Sequence, residues 1–193
     1  GQIDEARVWN TTRLPDDILS TMTADMDGDQ NGLAGYWNFD SSDVVTAIDL
    51  SENGNNGTIL GTPTLGETRF HLNIESPHQG VLYFDGADDY VGEIGGIELA
   101  GESFSIEVWT RRDALNTNDT VLGQDDLSLA YNADNSFSFS FAGSSLSSDI
   151  FDDENEWHHW VATYDASTGD RILYRDTVEV ARDNTTAYQG SGD

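Results

Sequence analysis

Residues 136–141 read Ser136-Phe137-Ser138-Phe139-Ser140-Phe141, three aromatic rings alternating with three hydroxyls. A period of two sets the rings on one face of an extended chain and the hydroxyls on the other, the pattern of a strand with one face in a core. Working outward, similar alternation recurs in short segments separated by clusters of Gly, Asn, Asp and Ser. These are 3–9 (IDEARVW), 33–39 (LAGYWNF), 80–85 (GVLYFD), 104–111 (FSIEVWTR), 127–132 (LSLAYN), 158–165 (HHWVATYD) and the hairpin 171–182 (RILYRDTVEVAR). Many short strands joined by turns predict an all-β chain, an antiparallel β-sandwich. One short helix is predicted near the N-terminus, over 14–22 (LPDDILSTM). There Pro15 suits the first turn, and Asp16 and Asp17 stand where the helix dipole favours anions.

A length of 193 residues fits one large domain, since sandwiches of about 200 residues commonly form a single unit. With no cysteine in the chain, a disulfide framework, a thiolate metal site and a cysteine nucleophile are all excluded. No apolar run approaches the ~20 residues that span a bilayer, so membrane insertion is not expected. GQIDEARVWN lacks both the basic and the apolar regions of a leader, and any targeting signal is expected outside these residues. Acidic residues number 36 against 8 basic ones, every one an arginine, for a formal charge of −28. Nucleic acid and anionic membranes need Lys/Arg patches and are poor partners for such a chain. Most of the acids are aspartates, and short carboxylates in Gly/Asn-rich loops are the usual way to present oxygens to calcium. A solvated, salt-adapted surface is the alternative, and both readings make the fold ion-dependent.

Five segments carry a family likeness: LAGYWNFD (33–40), IDLSENGNNGTI (48–59), VLYFDGADDYV (81–91), SFSIEVWTRR (103–112) and WHHWVATYDASTGDRILYRDTVEVARD (157–183). In order and spacing they resemble bacterial laminin-G-like jelly-roll repeats, similar in fold to pentraxins and legume lectins. The resemblance covers nearly all of 33–183 and implies a concanavalin A-like jelly roll. GQIDEARVWN resembles the last strand of such a repeat. The resemblance therefore implies a terminal strand plus helix over 1–32, like the end of a preceding repeat, and a jelly-roll domain over 33–193 lacking the family's last strands. The first strand is expected to complete the same sandwich in a permuted sense, the alternative being pairing with a preceding module. In either case a strand place is left open, which invites strand addition from neighbouring copies of the chain unless acidic charge guards the edge.

The same resemblance places a calcium loop at 49–57, with Asp49, Asn53 and Asn55 as oxygen donors and Asp4 joining from the adjacent strand; an ion-free Asn/Gly-rich turn is the alternative. A second candidate runs from Asp25 to Gly32, where Asp27, Asp29, Asn31 and Gly32 satisfy the EF-hand opening D-x-D-x-N-G. Its twelfth position is Asn38 instead of Glu and a strand follows, which argues against a full EF-hand and leaves a weaker calcium turn or an acidic linker. Asp85, Asp88 and Asp89 end a strand in FDGADDYV and suit an ion, a ligand hydroxyl or a plain hairpin turn. Asp125-Asp126 and Asp152-Asp153-Glu154 read as solvated loop charge. His158 and His159 are neighbours in a strand, so they point to opposite faces and cannot share a metal with each other; His71 and His78 stand apart, and zinc is not expected. Trp9, Trp37, Trp109 and Trp160 lie within strands and read as core; Trp157 is the least constrained.

Glycosidases on related sandwiches carry alternating acids on one strand. The strand closest in style here, FSIEVWTRR, offers only Glu107. Nucleophile elbows, phosphate loops and zinc-protease motifs are absent, and no enzyme is expected. The sequence reads as a secreted or cell-surface calcium-binding module that binds a glycan or a cell-surface protein, with a structural spacer as the rival and a polysaccharide-active enzyme as the third. Sequons begin at Asn10, Asn56, Asn118 and Asn184 and matter only in an organism that glycosylates them.

Overall fold

The computed structural model describes residues 1–24, 26–66, 80–92, 94–95 and 97–190. Asp25, His71 and His78 lie outside them. The described residues form β1 (Gln2–Trp9), α1 (Pro15–Thr21), β2 (Leu33–Trp37), β3 (Thr46–Ala47), β4 (Gly57–Leu60), β5 (Thr64–Gly66), β6 (Val81–Tyr83) and β7 (Tyr90–Gly92). There follow β8 (Phe104–Arg111), β9 (Asp119–Gln124), β10 (Leu127–Tyr131), β11 (Phe137–Phe141), β12 (Ser144–Ser147), β13 (Trp157–Tyr164), β14 (Asp170–Arg175) and β15 (Val178–Asn184).

An eight-stranded sheet runs β15-β14-β13-β8-β1-β6-β5, with β2 also paired to β1. The remaining strands form two smaller sheets, β12-β11-β10-β9 and β3-β4-β7. One core joins all three. Ile106, Val108, Trp160 and Leu173 of the large sheet pack with Leu129, Phe137, Phe139 and Phe141 of the four-stranded sheet and with Ala47 and Ile59 of the three-stranded one. The alternating stretch 136–141 supplies β11, whose three rings are at most 1% exposed. Phe137 stacks on Trp160 at 4.0 Å and 12°, while Phe139 and Phe141 lie 6.1 and 6.0 Å from Phe104. Each such ring, fully buried, contributes roughly 1.5–3 kcal/mol of hydrophobic stabilisation.

β1 lies inside the large sheet, with β8 along one edge and β6 and β2 along the other. Its register against β8 shifts between Asp4 and Arg7, and Glu5 has a φ of 52°, the mark of a β-bulge. The extra residue lets Ile3, Ala6 and Val8 all join the core while Arg7 and Trp9 take the opposite face. That outer face is covered by α1 and the residues after it. Ile18 packs on Val161 and Tyr174, Arg7 donates to the carbonyls of Thr21 and Ala24 at 2.8 and 3.0 Å, and Trp109 Nε1 donates to Met22 O at 2.7 Å.

The adjacent histidines have separate surroundings. The His158 Nδ1 is 2.7 Å from Asp176 and its Nε2 is 2.7 Å from Arg175. His159 is buried, its ring centroid 5.2 Å from that of Trp109 and its Nε2 3.7 Å from Glu107. At the β12 side the layers are tied by Arg171 of β14, which is fully buried and reaches Phe139 O and Ser144 O. At the opposite side, β9 and β7 end their respective sheets.

Candidate functional site

The loop at 49–57 is organised by Asp49 itself. Its Oδ1 accepts the backbone N–H groups of Tyr36 and Ser51, both at 2.9 Å, and its Oδ2 accepts Ser51 Oγ–H at 2.8 Å and Asn55 N–H at 2.6 Å. Each oxygen thus faces two donors, which repel a cation. The amides of Asn53 and Asn55 donate to Leu33 O and Ala34 O of β2 at 3.0 and 2.9 Å. The loop is a clasp on β2, and its donor set does not fit calcium at Asp49. Asp4 sits in β1 opposite Trp109, fully buried, with Oδ1 accepting the N–H of Glu5 at 2.8 Å.

Asp27 and Asp29 are exposed on the stretch that leads into β2, and Asn31 is exposed beside them. This stretch touches the 49–57 loop: a methyl placed on Gly28, whose φ is +86°, would stand 1.9 Å from Leu50 O. Only glycine fits there. The two loops therefore abut through backbone, and among the described residues their carboxylates do not converge into a cluster of three or more.

Among the described residues, the side chains that do converge are Asp85, Asp88 and Asp89, whose oxygens lie within 4.8 Å of one another. The turn holding them is built locally. Asp85 Oδ1 accepts Ala87 N–H at 2.8 Å, and Asp89 Oδ2 accepts Asp85 N–H at 3.0 Å. Asp89 Oδ1 accepts Thr62 N–H at 2.6 Å, and the chain passes so near that a methyl on Gly61 would stand 2.7 Å from Asp88 O. Three carboxylates at one turn fit a hard divalent cation with oxygen ligands.

Asp85 and Asp89 also border a groove of about 760 Å³ between β7 and β9. Its floor is the inner face of the large sheet at Ile3, Ala6 and Val108; its walls include Val91 and Ile94 on one side and Val121 and Leu122 on the other. Sequence reasoning missed both walls. β7 is three residues long, and in β9 Val121 and Leu122 are adjacent, which breaks the alternation. The signal that would have found β9 is the turn at Asp125 and Asp126, which joins it to β10 and has a φ of 50° at Asp125.

Glu107 lies on the opposite face of the sheet from this groove, with no exposed side chain, 3.1 Å from Arg13 and 3.8 Å from Arg7. Burial pushes its carboxyl above the usual range, opposed by those two guanidiniums.

No curated protein matches the chain. A laminin-G family model, described as that of the concanavalin A-like lectin/glucanases superfamily, matches residues 84–193, which takes in every strand of the four-stranded sheet and β8 and β13–β15 of the large one. With the sandwich of antiparallel sheets around one core, that match makes the chain a member of the concanavalin A-like lectin/glucanases superfamily, of laminin-G type.

Proposed function

We propose that the chain is an extracellular binding module, not an enzyme, that takes a carbohydrate or protein ligand at the rim formed by the Asp85–Asp89 turn, with calcium as the ion held there. The observation that carries this reading is the convergence of Asp85, Asp88 and Asp89 within 4.8 Å at the border of a groove. Calcium takes roughly six to eight oxygens in flexible geometry, so three carboxylates leave places for ligand oxygens. When bound, the ion supplies fixed positive charge on an otherwise acidic edge. Membership of a family of lectins and glucanases supports carbohydrate among the ligand classes. The position of Glu107 supports binding over catalysis, since its carboxylate is enclosed under α1 away from the rim.

Calorimetric titration of calcium into the chain and into Asp88→Asn tests the ion; a glycan array and a protein pull-down, each with calcium and with EDTA, test the ligand. The expected result is a calcium isotherm lost in Asp88→Asn and ligand capture lost in EDTA. Capture indifferent to EDTA removes calcium from the reading. No capture in either condition leaves a structural spacer.

A further inference from the structure

We infer that the groove between β7 and β9 is an acceptor for an extended peptide strand of neutral or basic charge supplied by a partner polypeptide. The second layer of the sandwich is divided: one sheet stops at β9 and the other at β7. Among the described residues β9 pairs only with β10, and β7 only with β4. Among the described residues no backbone hydrogen bond crosses from 119–123 to 90–92. Two strand edges therefore border one cavity, 119–123 and 90–92, and among the described residues neither has a ladder partner on that side; such an edge is a template for another strand.

The apolar lining supplies the second requirement. Ile3 of the floor and Val91, Ile94, Val121 and Leu122 of the walls all pack against the core yet remain only partly buried, and all line the groove. A compact apolar ligand covers such a lining but leaves the peptide groups of both edges unmatched. An extended strand does both, because alternate side chains turn down onto the floor while its backbone pairs sideways. β9 offers an edge over 119–123, a length of roughly 17 Å. Filling the groove would join the two smaller sheets into one continuous layer.

Charge selects the occupant. Asp85, Asp89, Asp113 and Asp119 line the groove against Arg111 and Arg112; Arg112 is already paired with Asp153 and Arg111 with Asp113, so the acids left facing the groove are Asp85, Asp89 and Asp119. The surrounding chain carries −28. A second copy brings the same charge, and its described strands are already held in ladders of their own. A partner strand with apolar residues facing in and neutral or basic residues facing out meets both the floor and the field.

The test does not rest on the calcium reading and is run in EDTA on the whole chain. The probe is the synthetic peptide Lys-Val-Thr-Val-Lys-Val-Thr-Val-Lys, followed by amide hydrogen exchange. Saturable binding is expected, with exchange slowed about tenfold or more within 90–92 and 119–123. The same peptide with glutamate for lysine should bind at least about tenfold more weakly, and one with proline at both threonines should not bind, because proline removes ladder donors. Leu122→Glu should abolish binding. If that variant loses the native amide spectrum of β13 and β14, Val121→Lys replaces it. Absence of binding, equal binding of a scrambled peptide, or protection confined to β12 or β15 overturns the assignment. Self-association that protects the same amides without peptide overturns it in favour of a second copy.

Discussion

Replacing Arg171 by methionine removes a charged head from the core while keeping the stem that lies against Phe139 and Phe141, whose ring centroids are 5.7 and 4.9 Å from the guanidinium. The head donates to Asp183 through Nε at 2.9 Å and Nη2 at 2.6 Å. It also donates to Phe139 O and Ser144 O through Nη1 at 3.3 and 3.0 Å, and to Ser144 Oγ through Nη2 at 3.0 Å. Arg171→Met thus leaves two carbonyls and a carboxylate without their donors at the junction of β14, β11 and β12. Breaking one side of a buried ion pair costs about 3–5 kcal/mol. Asp183 is 33% exposed and regains water, so the lower figure, about 3 kcal/mol, applies.

Urea unfolding reads this directly. With a slope of about 2 kcal/mol per molar, the midpoint falls by about 1.5 M. The difference between the two proteins persists in about 1 M sodium chloride, because a buried pair is little screened. A double-mutant cycle with Asp183→Asn should return a coupling of about 1–2 kcal/mol, and Arg171→Met with Asp183→Leu should recover part of the loss. A loss below about 1 kcal/mol for Arg171→Met, or a loss that salt erases, refutes the assignment of Arg171 as the tie between the layers.

Asp49→Ala should lower the melting temperature by the same amount in calcium and in EDTA, as expected of a clasp whose oxygens hold N–H and O–H donors; a loss seen only in calcium would restore it as a ligand. Calcium at ~100 times its dissociation constant should add roughly 2.7 kcal/mol to the parent and nothing to Asp88→Asn, as read from paired thermal melts. Gly28→Ala should destabilise by about 2 kcal/mol or more in chemical denaturation, because its φ is +86° and the added methyl would stand 1.9 Å from Leu50 O. Burial, with the charge of Arg7 second, holds His159 down at about 3, whereas the unfolded imidazole titrates near ~6.5. The unfolded chain then takes up a proton that the folded chain refuses. Stability falls as pH drops below ~6.5, by up to about 1.4 kcal/mol per unit. Glu107, raised by burial, binds its proton earlier in the folded state and acts in the opposite sense. His159→Gln should flatten the slope between about pH 6 and 4, and an unchanged slope would sink this account.

What was legible in the sequence is what depends on local period. β11 sets Phe137, Phe139 and Phe141 in the core, so its alternation survives in the residues, whereas β13 is buried on both faces and β15 has no buried residue; the helix is likewise marked by Pro15 and two aspartates. β3, β5 and β7, two or three residues each, are too short to show a period. The candidate site was legible by composition but not by role. Asp49 sits in a Gly/Asn-rich turn and Asp85 in a Gly/Asp-rich one, yet Asp49 meets the backbone of Tyr36, thirteen residues earlier, and that encounter is set by the pairing of β2 with β1. The resemblance brings Asp4 to the calcium loop from the adjacent strand, but the bulge at Glu5 and the ladder to β8 decide its surroundings. Glu107 shows the same limit: its partners Arg7 and Arg13 are supplied from β1 and the segment after it.

The arginines carry a last consequence. Of the seven described, only Arg182 is exposed; Arg7, Arg112 and Arg171 are buried, and Arg13, Arg111 and Arg175 are half-buried. They are drawn inward by carboxylates and by rings: Arg13 lies 4.0 Å from the Trp9 centroid and Arg175 4.3 Å from that of Phe151. With the described arginines drawn inward, the exposed charge is even more one-signed than the formal charge of −28 implies. Repulsion among exposed charges is screened within about 10 Å at 0.1 M salt, while the buried pairs are not. Sodium chloride should accordingly raise the melting temperature steadily from low ionic strength, the reverse of a fold held by surface ion pairs. Thermal melts across a salt series at constant pH, with EDTA present to remove divalent ions, measure the sign. A melting temperature that falls or stays level as salt rises would show that the exposed acids are not in mutual repulsion, and that the described arginines do not account for the charge inside.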